Sequence, residues 1–206
     1  WRYWDEVRAG RISLDEWDEL EGCIACSAGA CNTMGTASTM TALSESLGMM
    51  LPGTSSLPAT DSRRLAAAEA TGRRIVSMVT EDLRPSKILT PAAFDNAVRT
   101  LLALGGSTNA VVHLIAMAGR RNITLPLSRF DELGQTTPFL VNLSPSGKHL
   151  MDAFHAAGGC PPAMNEIRDL LNLDCLTVTG ATVGDHLSKA RRYDRDVIRD
   201  RETALA

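Results

Sequence analysis

Apolar residues recur along most of the chain at three- and four-residue spacing between glycine and proline breaks, a pattern that predicts a succession of helices. Residues 3–9 and 14–21 read as two short polar helices around Gly10, with Ser13 capping the second and Glu16 completing a capping box. From Thr36, the positions Met40, Leu43 and Leu47 share one helical face that ends near Gly48, and Leu51-Pro52-Gly53 through Pro58 is a connection. Asp61 is placed to cap a long helix running to about Asp82 through Gly72. Thr90-Pro91 opens another in cap-then-proline order, with Phe94, Val98 and Leu101 as its stripe and Gly105-Gly106 as its stop. Ser107 caps the next, through Val111, Leu114, Ile115 and Ala118 to Gly119.

A linking region follows, then helices near 147–157 and from Pro162 to Leu171, and a β-prone run Leu176-Thr177-Val178-Thr179. Residues 191–206 are charged and carry no apolar stripe long enough to dock, which predicts either a solvated tail or a linker.

With 206 residues, 44% apolar and 22% charged, the chain has the balance of a globular protein with a real core. No apolar run approaches the roughly 20 residues of a membrane span, and the start at Trp1 carries no signal-peptide pattern, so a cytoplasmic protein is expected. The absence of an initiator methionine leads us to expect coding sequence upstream. Net charge is −3 with both signs interspersed, so neither nucleic acid nor membrane is the expected partner; a small molecule is. Aromatics are sparse at 4%, which favours closely packed helices of Ala, Leu, Val, Ile and Met.

Of five cysteines, Cys23, Cys26 and Cys31 crowd into a Gly-rich stretch. Thiolates are preferred ligands of iron-sulfur clusters and zinc, and a cysteine on such a loop ahead of a helix gains from free backbone N–H groups. Cys31 fits that placement best. The C-x2-C-x4-C spacing lacks the fourth ligand of a self-sufficient site, so spacing alone leaves metal binding and ordinary packing both open.

The run Cys31-Asn32-Thr33-Met34-Gly35-Thr36-Ala37-Ser38-Thr39-Met40, followed by Glu45-Ser46-Leu47-Gly48 and Leu51-Pro52-Gly53, resembles the signature of the IlvD/Edd dehydratase family. Further matches follow in order: Pro58-Ala59 with Arg63, Pro85-Ser86-Lys87-Ile88, Ala93 to Ala97, Leu104 to Asn109, His113-Leu114, Pro145-Ser146-Gly147, Ala157-Gly158-Gly159 and Thr177 to Gly180. The resemblance implies an α/β fold class, with this chain a helix-rich part of the family's N-terminal α/β domain. Residues 1–190 would belong to the iron-sulfur dehydratase domain, and 191–206 would link to a missing C-terminal domain.

The family's chemistry is removal of water from a 2,3-dihydroxy acid to give a 2-keto-3-deoxy acid, with a cluster iron as Lewis acid and a divalent metal, usually Mg2+, on the carboxylate side. By the resemblance Cys31 is the last of three cluster ligands. The other two cysteines, the acidic magnesium ligands and the proposed base serine lie outside this chain, so no catalytic residue is expected within it. The Asn-Thr-Met-Gly-Thr-Ala-Ser-Thr-Met form resembles the sugar-acid branch and leans toward an aldonate and a 2Fe-2S cluster, with 4Fe-4S as the other form. Where that branch has a histidine before the ligand, this chain has Ala30. Thr33, Ser107, Thr108 and Asn109 are candidate neighbours of substrate or cluster, Ser107 equally a helix cap. Cys23, Cys26, Cys160 and Cys175 read as space-filling residues, and His113 as a satisfied structural histidine. Family members form dimers or tetramers, so a homo-oligomer with exposed apolar surface is expected. Two rivals stand: a dihydroxy-acid dehydratase of branched-chain amino acid biosynthesis, and a small non-catalytic iron-sulfur or zinc module using Cys23, Cys26 and Cys31.

Overall fold

The computed structural model describes residues 2–23 and 28–206. Its elements are α1 (Arg2–Arg8), α2 (Leu14–Cys23), α3 (Thr36–Ser46), α4 (Ser62–Thr80), α5 (Pro85–Ile88), α6 (Pro91–Leu104), α7 (Asn109–Arg120), α8 (Leu127–Gly134), α9 (Met151–Ala156), α10 (Cys160–Glu166) and α11 (Val183–Leu187), with 3₁₀ turns at Arg168–Leu170 and Arg201–Thr203. No described helix is long and apolar enough to cross a membrane.

The local signals place the starts of several helices. Glu16 accepts from the Ser13 backbone N–H at 2.7 Å while the Ser13 hydroxyl accepts from the Glu16 N–H at 3.2 Å, which closes the expected box at α2. Asp61 accepts from the Arg63 N–H at the head of α4, and Thr90 from the Ala93 N–H at the head of α6. Gly105 ends α6 with φ +59, and a Cβ there would overlap the Phe139 ring edge, so both backbone and space favour glycine.

α6 is the hub, packed by α3, α7, α8 and α10. The stripe expected at Phe94, Val98 and Leu101 is buried, but so are Ala93, Asn96, Ala97, Thr100, Ala103 and Leu104, so the helix is enclosed on nearly every side. Its polar residues are satisfied: the Asn96 side chain donates to the Asn172 carbonyl at 3.0 Å and accepts from the Asn172 N–H at 2.7 Å. One apolar cluster joins α3, α6, α7 and α8. A second gathers Met34, Leu104, Leu140, Val141, Phe154, Ile167 and Ile198 around α9 and α10.

The helix-rich half of the expectation holds. Among the described residues there is no strand, only isolated bridges at Val141 with Ile198, Leu143 with His149 and Leu176 with Thr182. The β-prone run at Leu176–Thr179 is therefore corrected: it bends back at Gly180 so that the Thr177 N–H reaches the Ala181 carbonyl at 3.0 Å. Within the region expected to be a plain link, α8 forms between Pro126 and Gln135 and buries Phe130 and Leu133, too short a stripe to stand out.

Of the two readings of residues 191–206, the solvated tail is corrected, because the segment docks. It lies in irregular conformation along 139–143, where the Asn142 N–H reaches the Val197 carbonyl at 2.9 Å and the Arg199 N–H the Leu140 carbonyl at 3.0 Å. Val197 and Ile198 enter the second core cluster while Arg192 pairs with Glu166 at 3.1 Å and Arg201 with Asp169 at 2.6 Å. Helical stripes do not describe a segment that docks through its backbone and two adjacent side chains.

The candidate metal-ligand loop

Residues 28–35 form an irregular loop ahead of α3, exposed at 28–31 and buried at Met34, and pinned by backbone bonds to distant segments. The Met34 N–H donates to the Ser144 carbonyl at 2.8 Å, and the Asn32 carbonyl accepts from the Met151 N–H at 2.8 Å. Gly29 adopts φ +129 against Ala59, and an added Cβ would come within 2.9 Å of the Ala59 Cβ, so this close approach requires glycine.

Cys31 sits exposed on this loop with its Sγ 3.6 Å from the Thr33 Oγ1. Hydrogen bonds from the Thr33 backbone N–H, then from the Thr33 hydroxyl, and more weakly from the Asn32 N–H favour the thiolate and hold the Cys31 thiol below its ordinary value. These donors belong to the turn itself and not to the end of α3, which begins only at Thr36. An exposed, anion-favouring sulfur is chemically suited to bind a soft metal or iron.

The structure brings the remaining candidates together in part. Thr33 contacts Cys31 directly. Ser107 lies 3.0 Å from the Thr36 hydroxyl, and the Asn109 side-chain amide donates to that hydroxyl at 2.9 Å, so this turn abuts the first residue of α3. The Ser107 N–H is taken by Thr39 at 3.0 Å and its hydroxyl accepts from the Asn109 N–H at 3.3 Å, so Ser107 ties and caps. Thr108 is exposed and makes no side-chain cap. His113, expected to be a satisfied structural histidine, is instead exposed on α7.

Cys23 is exposed at the end of α2, Cys160 is buried and Cys175 half-buried, while Cys26 lies outside the described residues. Burial drives the Cys160 thiol well above its ordinary value, which suits a core residue and not a ligand. Among the described residues no group of three or more His, Cys, Asp or Glu is placed to hold a metal ion.

Two further groups have partners that the sequence did not pair. Glu45, on the buried side of α3, accepts from the Gly53 N–H at 2.6 Å and the Ser55 N–H at 3.1 Å. Burial pushes its carboxyl above the ordinary range, with those donors opposing. In sequence Glu45 opens the Glu45-Ser46-Leu47-Gly48 match to the family signature and lies between the core residues Leu43 and Leu47, with nothing to show what its carboxylate binds. His155, on α9, lies 3.3 Å from the Ser56 hydroxyl through Nδ1 and 2.7 Å from the Arg63 Nη2 through Nε2. Desolvation, then the Arg63 charge, lower its pKa, with Asp61 opposing. No sequence signal linked residues so far apart.

A family profile described as dihydroxy-acid/6-phosphogluconate dehydratase N-terminal matches residues 1–186. The chain is 47% identical over 205 residues to a putative dehydratase IlvD1 of Rhizobium meliloti, covering all of this chain and 36% of that protein. It is 49% identical over 207 residues to an L-arabinonate dehydratase of Rhizobium leguminosarum bv. trifolii, again 100% of this chain and 36% of the relative. Over 195 residues it is 45% identical to a dihydroxy-acid dehydratase of Ignicoccus hospitalis, covering 94% of this chain and 35% of the relative. The chain thus spans about a third of the length of these relatives.

Proposed function

Because the chain belongs to the dihydroxy-acid/6-phosphogluconate dehydratase N-terminal family, we propose that it supplies one wall of a hydro-lyase site and, through Cys31, one ligand of an iron-sulfur cluster. The carrying observation is the exposed Cys31 sulfur facing donors from Thr33 and Asn32 on a loop anchored to α9 and to the 144–145 turn. A single thiolate of this kind fits the ligand role but cannot build a cluster alone, so the other ligands come from elsewhere in a whole enzyme. A cluster held in part by Cys31 would supply Lewis-acid chemistry toward a departing hydroxyl, and a divalent metal held outside this chain would supply charge for the substrate's acid end. What this chain's own residues do is favour the thiolate form of Cys31, through Thr33, and fix the loop.

The substrate we propose is an aldonate, dehydrated to a 2-keto-3-deoxy acid, with a 2Fe-2S cluster. The sugar-acid form of the Asn32–Met40 run supports this, as do relatives with sugar-acid names, including one at 45% identity named 6-deoxy-6-sulfo-D-gluconate dehydratase. The second reading, a dihydroxy-acid dehydratase, is favoured by relatives of that name at 41–45% identity. We further propose a cytoplasmic homo-oligomer in which the whole domain is α/β. Exposed Leu65, Ile75, Val76 and Val79 on α4, beside an apolar groove of about 720 Å³, support the oligomer.

The test is a chimera in which this chain replaces its counterpart in the Rhizobium leguminosarum enzyme. The expected result is an iron-sulfur absorption band and dehydration of L-arabinonate in preference to 2,3-dihydroxyisovalerate, both lost on Cys31→Ser alone. Preference for dihydroxyisovalerate would install the second reading. A cluster that survives Cys31→Ser would overturn the ligand assignment.

A further inference from the structure

The Cys31 loop is gripped on two sides by elements far apart in sequence. Gly29 packs on Ala59, in the connection that leads into α4, and the Asn32 carbonyl is held by the first N–H of α9. Among the described residues, the side-chain hydrogen bonds joining that connection to α9 are those of one imidazole, His155.

We infer that His155 is a positioning residue that locks the connection at Ser56 and the first turn of α4 at Arg63 against α9 and so sets the two surfaces on which the Cys31 loop rests. The inference concerns this loop's geometry; that Cys31 serves as a ligand is the separate reading proposed above. Arg63 is always a donor, so its Nη2 at 2.7 Å makes the His155 Nε2 an acceptor, and the Nδ1 carries the proton donated to the Ser56 hydroxyl at 3.3 Å. Both ring nitrogens are therefore committed, one to the connection at Ser56 and the other to the first turn of α4 at Arg63. Ser56 is confined from the far side as well: a Cβ on Gly159 would overlap its hydroxyl, so the turn after α9 seats Ser56 against the ring. Asp61 completes the set, accepting from Arg63 Nε at 2.9 Å and lying 3.9 Å from Nε2. With Arg63 neutralised by Asp61, the cluster is a clasp and not an anion seat. The geometry runs from ring to loop in two short paths: Ser56 and Arg63 to Ala59 to Gly29, and the helical turn from His155 back to Met151 to Asn32.

The experiment is residue-resolved amide hydrogen exchange on this chain. His155→Ala removes both bonds, one of them to a charged group, and is expected to speed exchange at Met34 and Met151 roughly tenfold while α6 amides such as Leu101 keep their protection. His155→Gln, whose carbonyl can accept from Arg63 and whose amide can donate to Ser56, is expected to restore it. Unchanged exchange at Met34 and Met151 in His155→Ala overturns the inference, as does equal acceleration throughout α6, which would make His155 a general stability residue. Should His155→Ala fail to fold, Ser56→Ala decides by the same comparison: selective acceleration at Met151 supports the clasp, and none overturns it. Cluster loading of Cys31 variants enters neither outcome, so this inference and the ligand assignment fail independently.

Discussion

Glu45 offers the sharpest test of how this fold is held together. Its carboxylate is buried and its two oxygens accept from separate backbone donors, Gly53 N–H at 2.6 Å and Ser55 N–H at 3.1 Å, so it fastens the 51–56 connection to α3. Glu45→Ala removes the acceptor from the half-buried Ser55 N–H and the exposed Gly53 N–H, of which water can satisfy the second, so a loss of about 1–3 kcal/mol is expected. Glu45→Gln keeps one acceptor and turns an amide toward the second N–H, which places its cost near ~1–2 kcal/mol.

The pH dependence separates this from simple packing. Burial raises the folded-state pKa of Glu45 above its ordinary value of 4.5, so its contribution to stability is fully present below the ordinary carboxylate range. That contribution is lost as pH rises toward and through the raised value. Urea unfolding followed by circular dichroism, on parent and Glu45→Gln across about pH 4 to 8, should show the parent gaining on the variant as pH falls. A stability difference that is flat with pH, or that grows toward high pH, would refute the argument, as would a Glu45→Ala loss below about 1 kcal/mol.

Three further outcomes follow from single contacts. Gly105→Ala forces a left-handed backbone and drives a methyl into Phe139, so thermal unfolding should show a loss of about 2–4 kcal/mol. Ending the chain after Tyr193 exposes the sites of Val197 and Ile198 and should cost about 3 kcal/mol or more in urea unfolding, whereas Asp169→Asn, which touches only a half-exposed pair, should leave the midpoint unchanged within error. Cys31 should react with iodoacetamide at neutral pH well ahead of Cys160, since Thr33 favours the Cys31 thiolate and burial suppresses that of Cys160; site-resolved mass spectrometry measures both rates.

The boundaries of α2, α4 and α6 were legible because they depend on neighbours in sequence: the Ser13–Glu16 box, the Asp61 cap, and Thr90-Pro91 at one end with Gly105 at the other. Capping and glycine's left-handed freedom act over three or four residues, so composition and order suffice. The Cys31 run and its order with later motifs were enough to place the chain in its family. Only the tertiary structure decided the rest. The Leu176–Thr179 run has strand composition, yet it has no described strand to pair with, and a strand's backbone needs a partner. Residues 191–206 are charged in sequence but dock because the 139–143 backbone offers matching donors and acceptors. The clasp at His155 joins it to Ser56 and Arg63 from ninety or more positions away, and Glu45 is buried because Gly53 and Ser55 fold back over it. Local rules see the chain's own neighbours, whereas burial and long-range hydrogen bonding exist only after it has folded.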